Sequence, residues 1–341
     1  MRGPACSTLP GITATILEYS PRLKLDLTLY RPNVTSPLPL LLFLHAGGLQ
    51  VGSRDSIACA RSGCGTRGGD YVLPVQDLME AGIAVASASY RLCTNAQETV
   101  WPGQLEDVRE AVAFLRSNAA SLGLRHKAIG CYGISAGAGL CAALAVTQGT
   151  SFLPRAPAGS HVRMGVSISG WADFFVQDRA RGYVRGTSSG CGNSVPVCAA
   201  GGAGFLKRWQ AAGNQSKVSL TELPEELQER LRSASLARAV AEHRPTVGGA
   251  AAQTVAPLLL VHGDQDSCHP LDNALALQEA ALAVGAPSTV ELLRVHGGRH
   301  TVACAPPSVR EQTMRFVRSH LLGGDGGPDE RGRAGEEKPN R

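Results

Sequence analysis

Seven consecutive residues without a polar side chain, Leu38–Leu44 (LPLLLFL), constrain this sequence more than any other feature. A run this short and apolar reads as a strand buried on both faces, because a half-buried strand alternates polar and apolar residues. Comparable strand-like runs recur at 83–89, 128–134, 162–168, 255–261 and 289–295. Helix-like segments lie among them at 71–81, 104–120, 136–146, 273–284 and 309–322. In 104–120 the apolar residues Leu105, Val108, Ala111, Val112 and Leu115 recur with a helical period. Strands alternating with helices predict an α/β fold, with a mostly parallel sheet of about eight strands flanked by helices on both faces. Two alternating segments, 13–18 and 23–30, lie close enough to pair as a hairpin.

Residues 170–254 are too many for a plain crossover between strands. They contain a Gly/Ser/Cys-rich stretch, 186–204, and a charged helical stretch, 224–243. The expectation is an N-terminal segment 1–22, a main domain 23–322 with 170–254 as a cap or lid, and a disordered tail 323–341 with almost no apolar residues. The net charge of +5 is spread along the chain without a Lys/Arg run, which argues against nucleic-acid binding. No stretch of 18 apolar residues predicts a membrane span. The first ten residues hold no apolar signal core, so cytoplasmic is the default compartment. Ten cysteines point the other way. Cys59 with Cys64, and Cys191 with Cys198, have the spacing of loop staples in an oxidising compartment. Cys131 and Cys141, in apolar surroundings, read as buried small hydrophobes.

The chemistry starts at Gly133-Ile134-Ser135-Ala136-Gly137, a G-x-S-x-G pattern. A second match, Gly186 to Gly190 around Ser188, sits in a polar loop and reads as chance. Ser135 ends an apolar strand and opens a helix, which is the strand–turn–helix setting that exposes a nucleophilic serine. Such a serine needs a base and an orienting acid. The run 255–261 ends in His262-Gly263-Asp264-Gln265-Asp266, which offers two carboxylates, and 289–295 ends in His296-Gly297-Gly298-Arg299-His300, which offers two imidazoles. An oxyanion needs backbone N–H donors. Ala136 and the glycines of His45-Ala46-Gly47-Gly48, directly after the first buried strand, stand where those donors belong.

These motifs together resemble the α/β-hydrolase-fold carboxylesterases with an HGGG oxyanion motif, the hormone-sensitive-lipase-like branch and its acetyl-xylan- and feruloyl-esterase-like relatives. The similarity runs from about residue 23 to 322 and includes Ser89-Tyr90-Arg91-Leu92, Pro102, Gln104 and Asp107. It implies Ser135 as nucleophile, Asp266 rather than Asp264 as acid, His300 rather than His296 as base, and Gly47, Gly48 and Ala136 as oxyanion donors. It implies short-chain acyl esters, free or carbohydrate-linked, as substrates, and no metal or organic cofactor. Two departures stand out. Ala46 replaces the first glycine of HGGG, which is tolerable only at negative φ, and Ser267-Cys268 follow the acid where the family often has proline. Cys268 and Cys304, just beyond the implied acid and base, are expected to be joined as a disulfide. Arg91 and Asp107 are expected to pair near the glycine loop, and Trp171 and Asp173 are placed to line an acyl or alcohol site, with core packing the alternative for Trp171. An amide hydrolase (aryl formamidase or peptidase-like) shares the triad, but Leu49-Gln50 replace the aromatic pair of formamidases. A catalytically inactive binding module is expected to lack the Ser or the His, and both are present.

Overall fold

The computed structural model describes residues 9–57, 72–93, 101–147, 157–176, 184–185, 217–218, 221, 224–242, 255–284, 289–302 and 305–322. Ten strands run in chain order: β1 Ile12–Ser20, β2 Leu25–Pro32, β3 Leu38–Leu44, β4 Ala84–Ala88, β5 Leu124–Ile134, β6 Gly165–Ile168, the two-residue β7 Val184–Arg185 and β8 Lys217–Val218, β9 Leu258–Gly263 and β10 Val290–Val295. The helices are α1 Val75–Glu80, α2 Gly103–Ser117, α3 Ala136–Val146, α4 Glu225–Arg232, α5 Leu236–Glu242, α6 Asp272–Ala283 and α7 Pro307–Val317.

Eight strands form one sheet in the order β1-β2-β4-β3-β5-β6-β9-β10, and β7 pairs with β8 apart from it. β1, β2 and β4 are antiparallel neighbours, and all pairings from β4 to β10 are parallel. The expected hairpin is therefore present, and the sheet begins at Ile12, upstream of the domain start expected at 23. β1 is an edge strand with only Tyr19 and Ser20 buried and a register shift near Glu18, so its apolar signal is weak.

β3 explains why its run contains no polar residue. Leu38, Leu40, Leu42 and Leu44 face one core beneath α2 and α3, while Leu41 and Phe43 face a second core shared with α1 and α7. Full burial of each leucine is worth about 2 kcal/mol. α3 (AGAGLCAALAV) is buried at every position, consistent with a helix apolar all round and wedged against the sheet. Pro74 precedes α1 and delays its start to Val75. The charged stretch 224–243 resolves into α4 and α5.

The chain order reverses at β3, because β4 lies on one side of it and β5 on the other. In open parallel sheets a crevice forms at the carboxyl ends of strands flanking such a switch point. The carboxyl ends of β3 and β5 lead directly into His45-Ala46-Gly47-Gly48 and Ser135.

Candidate active site

Ser135 sits between β5 and α3 with φ 55° and ψ −116°. A non-glycine residue in that region costs roughly 1–3 kcal/mol and persists only where its surroundings enforce it. The neighbouring glycines show the enforcement. A Cβ on Gly133 would collide with the backbone of Gly137, and one on Gly137 would collide with the carbonyls of Leu44 and His45. α3 thus presses its first turn onto the end of β3. The turn is held further by the Ser135 N–H donating to the Ile168 carbonyl at 2.9 Å.

The Ser135 hydroxyl lies 2.8 Å from Nε2 of His300. The other ring nitrogen, Nδ1, lies 2.9 and 3.1 Å from the two carboxylate oxygens of Asp266. Asp266 follows β9 and His300 follows β10. The two loops interlock through glycine, since a Cβ on Gly263 would strike the Gly298 carbonyl, and the Gln265 N–H donates to that carbonyl at 2.9 Å. Oδ1 of Asp266 also accepts the backbone N–H groups of Cys268 (2.8 Å) and His269 (2.9 Å). Burial pushes the Asp266 carboxyl up, but the hydrogen bond and charge of His300 and the His269 N–H outweigh it. The net result is a fall from 3.8 to about 2, so the group is an anion at neutral pH.

The paired alternatives separate cleanly. Asp264 turns outward and accepts from Arg294 Nη2 (3.2 Å), His296 Nδ1 (3.1 Å) and the Gly297 N–H (2.8 Å). Asp264 and His296 therefore form a surface pair away from Ser135. Ser188 lies outside the described residues.

The glycine loop after β3 is tightly curled. Gly47 has φ 126°, and a Cβ there would collide with the Val51 carbonyl. Gly48 has φ 61°. Ala46 is absent from the positive-φ residues, so its methyl group is compatible with the backbone. The N–H groups of Gly47 and Gly48 donate to none of the hydrogen bonds found among the described residues. That of Ala136, at the first position of α3, has no acceptor within its own helix. His45 anchors the loop from below: its ring stacks on Tyr90 (centroids 4.2 Å apart, 8° between planes), and the Tyr90 hydroxyl donates to the His45 carbonyl at 2.7 Å. Arg91 pairs with the buried Asp107, with Nε 2.8 Å from Oδ1, and ties the end of β4 to α2.

Trp171 and Asp173 both make packing or hydrogen-bond contacts within the fold. Trp171 is buried against Trp101 and Phe174, and Asp173 accepts the N–H groups of Phe175 and Val176 and the hydroxyl of Ser235. Cys131 on β5 and Cys141 on α3 are buried as expected, but they are joined as a disulfide that brackets Ser135 and are not free thiols. Both are fully buried, and burial alone cannot distinguish a thiol from half a cystine. Cys93 and Cys268 are disulfide-bonded as well. Cys304 and the loop pairs Cys59/Cys64 and Cys191/Cys198 lie outside the described residues. The one described cluster with metal-ligand composition is Asp266, Cys268 and His300. Its sulfur is already in a disulfide and its other two groups bond each other, so it does not fit a metal. Among the described residues, no helix is long and apolar enough to cross a membrane.

Sequence reasoning missed a layer behind the carboxylate. His262 and His269 are both buried, at 2% exposure. Nε2 of His262 lies 2.8 Å from the His269 carbonyl, and Nδ1 of His269 lies 2.8 Å from the Ser169 carbonyl. The only trace in the sequence was the pairing of two histidines around the acid in HGDQDSCH.

Comparison with known proteins bears on the fold. A family model, BD-FAE, matches residues 25–189. A truncated carbohydrate esterase from gut microbiota superposes with a TM-score of 0.63 at 20% identity, covering 94% of this chain and 100% of its own. Esterase 2 of the Planctomycetes species Thermogutta terrifontis, with propionate bound, gives 0.58 at 19% identity and covers 90% and 94%. The same esterase phosphonylated by sarin gives 0.59 at 16% identity and covers 94% and 98%. No curated protein matches the sequence. By its sheet order and by these neighbours the chain has the α/β-hydrolase fold, and over residues 25–189 it matches the BD-FAE family model.

Proposed function

We propose that this α/β hydrolase is a serine carboxylesterase acting on short-chain acyl esters, with Ser135 as nucleophile, His300 as base and Asp266 as orienting acid. One observation carries the reading: the Ser135 hydroxyl lies 2.8 Å from Nε2 of His300 while Asp266 holds Nδ1 of the same ring. A carboxylate only accepts, so Nδ1 carries the hydrogen and Nε2 is free to take the serine proton. As Oγ attacks the ester carbonyl, its proton passes to Nε2 and negative charge develops on the carbonyl oxygen. The N–H groups of Gly47, Gly48 and Ala136 meet that charge, and each such donor is typically worth about 2.7–4 kcal/mol. Collapse expels the alcohol, which takes the proton from His300. Water then attacks the acyl-enzyme by the same route, with His300 again as base.

The short-chain assignment is supported by the propionate-bound neighbour, and a carbohydrate-linked ester by the carbohydrate esterase. Most of 170–254, expected as a cap or lid, and all of the tail 323–341 lie outside the described residues. The test is hydrolysis of p-nitrophenyl esters from acetate to palmitate, with Ser135→Ala beside the wild type. Rates should fall with chain length, and Ser135→Ala should lose more than about 10⁴-fold in kcat. Activity near wild type in Ser135→Ala refutes the nucleophile, and preference for palmitate refutes the substrate class.

A further inference from the structure

A second imidazole stands against His300 and takes no part in the proton path above. His269 lies three residues after Asp266, is 2% exposed, and meets the His300 ring edge to face, with centroids 5.1 Å apart and planes at 86°. Its polar groups reach three parts of the site. Its backbone N–H donates to Asp266 Oδ1 at 2.9 Å. Its carbonyl accepts from Nε2 of His262 at 2.8 Å. Its Nδ1 lies 2.8 Å from the Ser169 carbonyl, and because a carbonyl only accepts, Nδ1 carries the hydrogen. Ser169 closes the circuit: its hydroxyl accepts the Thr301 N–H at 3.0 Å, next to His300. Ser169 and Thr301 both hold positive φ, 55° and 67°.

We propose that His269 is a positioning residue for His300, fixing the base through its ring and through the Ser169–Thr301 link while its backbone fixes the acid. The proposal rests on the reading of Ser135, His300 and Asp266 as the reacting groups. The physical need is specific. Ser169 is fully buried in a strained conformation, and the ring N–H of His269 satisfies its carbonyl. Loss of that donor leaves a buried acceptor unpaired and frees the turn that carries the Thr301 anchor. A carbon side chain of similar bulk can fill the space but cannot donate. His269 also stays neutral in neutral solution: burial, and then the charge of His300, push it down to about 3. It therefore places no positive charge beside the imidazolium formed during turnover.

The test compares His269→Leu, His269→Asn and Ser169→Ala with the wild type on p-nitrophenyl acetate. Active sites are counted by fluorophosphonate titration, so that misfolded protein does not enter the rate. His269→Leu should lower kcat per titrated site by about 10- to 100-fold, the scale of a small misplacement of reacting groups, with KM within about twofold. His269→Asn, whose amide N–H can replace Nδ1–H toward Ser169, should recover most of the loss. A His269→Leu kcat within about twofold of wild type overturns the proposal, as does His269→Asn performing no better than His269→Leu. Should neither His269 variant fold, Ser169→Ala decides: a kcat lowered at constant KM supports the link, and a wild-type kcat overturns it. Failure of the underlying reading shows separately, as fluorophosphonate labelling that survives Ser135→Ala.

Discussion

Replacing Asp266 by asparagine tests the proposed proton path at its most constrained point. Oδ1 of Asp266 accepts two backbone N–H groups, from Cys268 at 2.8 Å and His269 at 2.9 Å. An asparagine must therefore place its carbonyl oxygen there and turn its NH₂ toward Nδ1 of His300, where Oδ2 now lies at 2.9 Å. The ring can accommodate a donor on that side only by moving its hydrogen to Nε2. Nε2–H then faces the Ser135 hydroxyl and can no longer accept its proton. A wrong tautomer of this kind costs about 10⁴-fold in kcat, equal to about 5.4 kcal/mol of barrier. Stability changes too. A carboxyl held at about 2 against an ordinary 3.8 contributes on the order of 2 kcal/mol. Its folded-state value is depressed, so this contribution is present above about pH 4 and is lost as pH falls toward 2. Asp266→Asn should unfold at lower urea than wild type at pH 7, with the gap narrowing below pH 4. Steady-state hydrolysis of p-nitrophenyl acetate reads the first effect and urea titration the second. Asp264→Asn, in the surface pair with His296, serves as the contrast and should keep its kcat. More than a tenth of wild-type kcat in folded Asp266→Asn refutes the tautomer argument.

Two further variants probe the frame around the nucleophile. Gly47→Ala places a Cβ on the Val51 carbonyl at φ 126°, so the loop must rearrange. Displacement of its N–H from the oxyanion should lower kcat by about 10²- to 10³-fold, measured on the same ester, with KM changed far less. The double replacement of Cys131 and Cys141 by alanine opens a closure of ten residues in sequence separation. It should reduce unfolding free energy by about 3 kcal/mol in urea titration.

The fold was legible because a doubly buried parallel strand leaves an unmistakable trace. β3, β4 and β9 lie within a few residues of their apolar runs, and the partly exposed edge strand β10 does so through its own apolar residues. The ends slipped where exposure changes. β5 starts at Leu124 rather than 128, because Arg125, His126 and Lys127 point into solvent at the sheet's lower rim, so no apolar signal marks them. The order of Ser, acid and base could also be read, since each follows a strand. The choice within each pair rested on resemblance alone, because Asp264 and Asp266 differ only in which way one tight turn sends them. The Cys131–Cys141 bond was hidden because an apolar setting suits a thiol and a cystine equally. Its two halves meet only when the elbow folds α3 back along β5.

Apart from the sharp turn at Ser135, the sequence did not disclose where the backbone is strained. Six described non-glycine residues hold positive φ: Lys24, Leu49, Ser135, Ser169, Thr301 and Val302. Lys24 lies in the β1–β2 hairpin connection. The other five follow the carboxyl ends of β3, β5, β6 and β10, around the Ser135–His300 contact. Glycine announces such conformations in a sequence, whereas serine, threonine, leucine and valine do not. Each costs roughly 1–3 kcal/mol, so their surroundings must hold them against relaxation. Around Ser135 and Ser169 the restraint is visible: their N–H groups donate to the parallel-strand carbonyls of Ile168 and Val261. The rigid sheet thus keeps these turns bent. The same bending aims Ser135 Oγ at His300 and lets Ser169 reach both His269 and Thr301, so the strain and the alignment of the site have one structural origin.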